Sequence, residues 1–317
     1  MINHGLLILS VIIFVPIILA VISAIYIFRR NRRGSRTPLT GNLLRGPGES
    51  LRLEIDSLTE KLGDSLFRFF AISLPPLLVF CLLSYLQDGK IPIWQFILVY
   101  LFFLLLVAWA TQCFYRLIKQ RANLYLGLDA ELAVGQELNH LMLQGCRVYH
   151  DFPAESFNID HVVVGPGGVY AVETKGRAKP DKGRGTVDAT VVYNGQVLRF
   201  PDWHEKDPLD QASRQAEWLQ KWLFSATAEQ VSVRPVLALP GWFIERTKPG
   251  NVLIFNGKNP QFLAKPQNSN GKLGPEMIQR IAHQLEQRCR DVEPLAYKRK
   301  KTLSSFLQKY MRPSECI

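Results

Sequence analysis

The sequence predicts an α/β protein in two parts: three transmembrane helices within about the first 118 residues, then a soluble domain of mixed helices and strands. Two observations carry this expectation. Uninterrupted apolar runs crowd the chain before residue 118, whereas later apolar residues fall into short alternating or helix-periodic segments. Basic residues gather beside the runs, at Arg29, Arg30, Arg32, Arg33 and Arg36 and again from Arg116 to Arg121. A chain of 317 residues exceeds the usual single-domain length, which suits a membrane part joined to one globular part. The 47% hydrophobic content therefore averages two unlike halves.

Leu6 to Phe28 is 23 residues without a charge, long enough at 1.5 Å per residue to cross a hydrocarbon core of about 30 Å. Its basic cluster follows the apolar run instead of preceding it, which argues for a retained span over a cleaved signal peptide. Phe69 to Leu86 and Ile91 to Thr111 form a helical hairpin around Gln87-Asp88-Gly89-Lys90, with a kink expected at Pro75 and Pro76. The positive-inside bias places both arginine clusters in the cytoplasm. The expectation is a multi-pass protein of the inner (cytoplasmic) membrane, N-terminus out and large domain in the cytoplasm.

The expected organisation is a transmembrane helix within residues 1–28 and a cytoplasmic linker with a short amphipathic helix, Leu51 to Leu62, within 29–65. A transmembrane hairpin over 66–118, the α/β domain over 119–290 and a basic tail over 291–317 complete it. The net charge of +11 favours a polyanionic partner, either nucleic acid or the anionic face of the lipid bilayer. Five scattered cysteines without a CxxC pair point away from zinc or a disulfide framework. Spans almost without ionisable residues argue against a transporter.

In the soluble part, Leu128 to Leu143 carries apolar residues at helical spacing, with Asp129 able to cap its start and Glu131 and Glu137 at or near the apolar stripe. Acids facing a core need partners. Arg147 to His150 reads as a strand. Ile159 to Val164, a Gly165-Pro166-Gly167-Gly168 turn and Val169 to Lys175 read as a β-hairpin. Centred between Pro166 and Gly167, the turn sets Asp160 opposite Glu173, and period two puts Lys175 on the same face. His161 points to the other face, where a structural hydrogen bond is expected. Two facing carboxylates repel unless a cation joins them, and a divalent metal, Mg²⁺ or Mn²⁺, resolves this with a lysine beside it.

Further on, Gln215 to Leu223 continues an amphipathic helix whose Trp218 and Trp222 read as core. Val231 to Leu239 and Asn251 to Phe255 supply strands, and Pro275 to Arg290 a closing helix. Arg177, Lys179, Lys182 and Arg184 form a basic loop open to two readings, phosphate contact or plain solvation. The tail from Lys298 to Tyr310 suits the inner leaflet at least as well as nucleic acid.

Gly127-x3-Glu131, Ile159-Asp160-His161, Gly168-Val169-Tyr170-Ala171-Val172-Glu173-Thr174-Lys175 and Pro208-Leu209-Asp210-Gln211 follow one another in order. This set resembles the nuclease-related domain, NERD, a branch of the PD-(D/E)XK phosphodiesterase superfamily, over about Leu124 to Pro266. The resemblance implies a restriction-endonuclease-like α/β/α domain with a mixed central sheet. It implies Asp160 and Glu173 as metal ligands, Lys175 as the water-positioning base, Glu131 completing the metal site and Gln211 as a supporting polar residue. Glu137 competes for the helix role, and the segment from Arg177 to Arg184 is longer than a tight sheet connection needs. The expected function is metal-dependent hydrolysis of DNA or RNA phosphodiesters at the cytoplasmic face. The alternative is a catalytically silent, membrane-tethered nucleic-acid-binding or scaffold protein.

Overall fold

The centre of the fold is a five-stranded mixed sheet, an antiparallel trio followed by two parallel strands. The computed structural model describes residues 41–86, 92–265 and 273–294, together with residues 23 and 39. Strands β1 (Arg147–Pro153), β2 (Asn158–Gly165) and β3 (Gly168–Thr174) form an antiparallel meander. Strands β7 (Val233–Ala238) and β9 (Leu253–Phe255) then extend it in parallel. The turn at Pro166 and Gly167 sets the β2–β3 register: Val164 pairs with Val169 and His161 with Val172, so Asp160 and Glu173 are the next residues beyond the last pair of that ladder.

The two sheet faces are buried by different helices. Val162, Val164, Val169 and Ala171 share a core with Ala216, Leu219 and Leu223 of the helix Asp207–Thr227 and with Ile281 and Leu285 of the helix Pro275–Cys289. On the opposite face Val163, Tyr170 and Val172 meet Val134 and Leu138 of the long helix Ile93–Asn139. A sheet covered on both faces explains why these strands read as nearly continuous apolar runs. With the helix Glu49–Leu86 as α1, these are α2 (Ile93–Asn139), α3 (Asp207–Thr227) and α4 (Pro275–Cys289). A second sheet, in the order β6-β5-β4-β8, comprises β4 (Thr190–Tyr193), β5 (Leu198–Arg199), β6 (His204–Glu205) and β8 (Phe243–Arg246).

Two expected boundaries are corrected. The helix expected over Leu128 to Leu143 does not begin at Asp129; it is the carboxyl end of α2, which runs 47 residues from Ile93 and closes in a short 3₁₀ turn. No proline separates Thr111 from Asp129, so the helix propagates from apolar into amphipathic sequence without a break. Likewise the short amphipathic helix and the run Phe69 to Leu86 are one 38-residue helix, α1, which passes through Pro75 and Pro76.

Among the described residues, Ile93–Gln144 is the one helix long and apolar enough to cross a membrane, where three spans were expected. Leu6 to Phe28, the hairpin turn at 87–90 and the tail from Lys298 lie outside the described residues. Residues Leu44–Arg290 form one compact unit, so the segment from Leu44 onward belongs with the α/β domain. In the second unit Leu43 and Val292 exchange backbone hydrogen bonds.

Arg288 closes the α4 side of the core, its guanidinium lying over Phe152, Trp218 and Trp222 while Nε donates to the Pro153 carbonyl at 2.6 Å. The tryptophans are thereby packing residues, half-buried against the core. Replacing the fully buried Phe152 by alanine is expected to cost about 3–5 kcal/mol, read as a lowered urea midpoint of the full chain in detergent.

Candidate active site

Four segments converge where β2 begins and β3 ends. Asp160 lies in β2, Glu173 in β3, Lys175 just beyond β3, and Glu131 on α2. Lys175 continues the parallel pairing, its N–H donating to the Ala238 carbonyl at 3.0 Å. Gly176 follows because a Cβ there would come within 2.6 Å of the Leu126 carbonyl of α2. That close approach brings the strand end and the Glu131 turn of α2 together.

Both oxygens of the buried Glu173 carboxylate are engaged. Lys175 Nζ lies 2.6 Å from Oε1, and Gln215 Nε2 donates to Oε2 at 2.6 Å. The Thr174 N–H donates to Asp160 Oδ2 at 2.6 Å. Gln215 also donates to the Asn158 carbonyl at 3.2 Å, which assigns its amide nitrogen to this side. Gln211, the expected supporting residue, sits half-buried one turn earlier on α3, and the side chain that reaches Glu173 is Gln215. Glu131 is buried, whereas Glu137 is half-exposed with its carboxylate 4.0 Å from His140 Nδ1.

The electrostatics are strained in one direction. Burial, followed by the charges of Asp151 and Glu173, pushes the Glu131 carboxyl up to about 8, against the lowering influence of Lys175 and the Gly48 amide. Asp160 is half-buried by surface yet walled by protein, and desolvation with the nearby Glu173 and Glu131 charges raises its carboxyl well above the usual range. More carboxylate meets here than Lys175 neutralises, and the donors are all hard oxygens, which fits Mg²⁺ or Mn²⁺ and not a thiolate-seeking metal. Gln215 Oε1 is buried without a hydrogen-bond partner among the described residues, oxygen capacity that a hydrated cation would fill. The present arrangement is closed around Lys175: no group of three His, Cys, Asp or Glu side chains stands at metal-ligand spacing among the described residues.

His161 lies on the opposite face, its Nδ1 2.9 Å from His150 Nδ1, while His150 Nε2 meets Asn139 Oδ1 at 3.0 Å. Burial lowers His150 to about 4, and burial together with the neighbouring His150 holds His161 well below its ordinary value, so the pair is neutral and structural. The basic loop is largely self-paired. Arg177 grips Glu205 with Nε and Nη2 at 3.0 and 2.9 Å, Arg184 binds Asp188 and Asp202, and Lys182 Nζ lies 2.8 Å from Asp202.

The site also draws on the segment before Leu51, which the sequence reads only as linker. Asp151, buried and held at φ 48°, takes Arg45 Nη1 at 2.9 Å and the Ser50 N–H at 2.9 Å. Gly48, at φ +68°, faces Glu131, and a Cβ there would collide with Leu128. These partners lie about a hundred residues apart in sequence, where no local pattern joins them.

The family model for NERD, the nuclease-related domain, matches residues 126–240. The NERD region therefore contains Glu131, Asp160, Glu173, Lys175 and Gln215, and it covers under half of the chain. No curated protein and no solved structure matches the chain.

The Glu131 shift has a definite sign. Between its ordinary value of 4.5 and about 8 the folded chain holds a proton that the unfolded chain has released. Its contribution to stability is full below pH 4.5 and is lost as pH rises to about 8. The slope is at most about 1.4 kcal/mol per pH unit. Glu131→Gln is expected to flatten the pH dependence of metal-free unfolding across that window, as measured by denaturant titration.

Proposed function

We propose that this chain is a membrane-anchored, metal-dependent phosphodiesterase of the PD-(D/E)XK type that acts on DNA or RNA at the cytoplasmic face of the inner membrane. The observation that carries the reading is the convergence of Asp160, Glu173 and Lys175 within a NERD region. Asp160 and Glu173 would hold Mg²⁺ or Mn²⁺, with Glu131 completing the set. When bound, the ion would supply Lewis-acid polarisation of the scissile phosphate and would acidify a nearby water.

The chain's own groups do the positioning. The Thr174 N–H fixes Asp160, and Gln215 fixes Glu173 from the α3 side. Lys175, on an ordered strand end, orients the attacking water and offers its charge to the phosphoryl oxygens as negative charge develops there. A bond forms from the water oxygen to phosphorus and the bond from phosphorus to the leaving oxygen breaks. One water proton ends on the leaving oxygen.

Anchoring rests on α2, whose amino half exposes Ile93, Trp94, Ile97, Leu98, Leu101 and Leu105. The arginines at 116 and 121 follow this apolar stretch as positive-inside residues. A multi-pass arrangement with the N-terminus outside accords with the charge pattern around Leu6 to Phe28.

One observation favours the second reading, a silent nucleic-acid-binding or scaffold protein: Glu173 already has both oxygens occupied by Lys175 and Gln215. Cleavage of plasmid DNA, single-stranded DNA and RNA by the full chain in lipid nanodiscs, with Mg²⁺ or with EDTA, separates the two. The phosphodiesterase predicts Mg²⁺-dependent cleavage that falls about 10²–10⁴-fold in Lys175→Ala and similarly in Asp160→Asn. Binding without cleavage in the wild type would support the scaffold.

A further inference from the structure

A continuous chain of hydrogen bonds runs from the amino end of α1 to the site. Ser50 Oγ donates to Asp151 Oδ1 and accepts from Asn158 Nδ2 at 2.9 Å. The Asn158 carbonyl accepts from Gln215 Nε2, which also donates to Glu173. Asn158 starts β2 two positions before Asp160, so period two puts it on the same sheet face. Asp151, Gln215 and Glu173 are each 2% exposed, so the chain is shielded from water for most of its length. Buried networks of this kind hold geometry because breaking any member strands its neighbours.

The anchorage is built, not incidental. Asp151 sits in a left-handed conformation that non-glycine residues rarely adopt, in the middle of a strand. That strain is offset by three donors: the Arg45 guanidinium, the Ser50 hydroxyl and the Ser50 N–H, the last of which is one of the free amides of the first turn of α1. Ile55 and Leu58, one and two turns further along α1, are buried. From there α1 runs on to Leu86 alongside α2, the helix that carries Glu131.

We propose that the amino end of α1 is a positioning element of the site, with Ser50 and Asn158 coupling the helical hairpin to the Glu173 carboxylate through Gln215. The inference deepens the phosphodiesterase reading and rests on it for the identity of the ion. Its consequence is that the hairpin regulates the site: a shift of α1 along α2 withdraws Ser50, frees Gln215 and loosens Glu173. The part of the chain after residue 119 contains every expected site residue yet lacks this support.

The test uses the full chain in nanodiscs with Ser50→Ala and Ser50→Thr. Threonine keeps the hydroxyl and alanine removes it. Calorimetric titration with Mg²⁺ on the folded protein is expected to show about tenfold weaker binding in Ser50→Ala, restored in Ser50→Thr. Cleavage should need correspondingly more Mg²⁺ for half-activation, with the rate at saturating Mg²⁺ little changed. Wild-type Mg²⁺ affinity in Ser50→Ala would overturn the proposal. Hydrogen exchange in metal-free protein gives an independent reading. Ser50→Ala should raise exchange in residues 207–219, around Gln215, and unchanged exchange there overturns the coupling. A wild type that binds no Mg²⁺ refutes the metal reading, and the exchange result then decides the coupling alone.

Discussion

Lys175 meets Glu173 at 2.6 Å in a site where Glu131, Asp160 and Glu173 are drawn together out of water. Three carboxylates against one ammonium leave excess negative charge, and burial makes that excess expensive. The rest of the arrangement is an answer to it. Burial favours the protonated forms of Glu131 and Asp160, while the Thr174 amide and Gln215 satisfy particular oxygens. A divalent cation would do the same work more completely, which is why the proposed metal site rests on the charge balance as much as on the NERD match.

One helix joins this chemistry to the apolar part of the chain. Thr111, where the apolar run of α2 ends, and Glu131 are twenty residues apart on one continuous helix, about 30 Å at 1.5 Å per residue. A rigid helix sets that height, whereas a loop would let the site wander. The amino end of α1 returns to the same place through Ser50 and Asp151, so both helices of the hairpin end at the acids. The α/β domain is thus one compact unit with both helices and not a separate body on a tether.

Much of this was legible where the information is local. Pro166 and Gly167 set a turn, the turn sets the register, and the register brings Asp160 and Glu173 to the same end of two adjacent strands. The same alternation placed His161 on the other face, where it meets His150. Helix phase was legible only to within a turn: Gln211 and Gln215 share a face of α3, and packing against β3 decides that the second one reaches Glu173. Helix continuity was not legible. A change from apolar to amphipathic sequence between Thr111 and Asp129 looks like a domain boundary, yet nothing in it stops a helix. The Ser50–Asp151 contact spans 101 residues and rests on a left-handed aspartate, which no periodicity announces.

The most direct measurement is the position of a bound Mn²⁺ by anomalous diffraction from the full chain. The account predicts an ion between Asp160 and Glu173, with Lys175 Nζ moved off Glu173 Oε1. An ion bound elsewhere, or Lys175 still seated on Glu173 at saturating Mn²⁺, would contradict it.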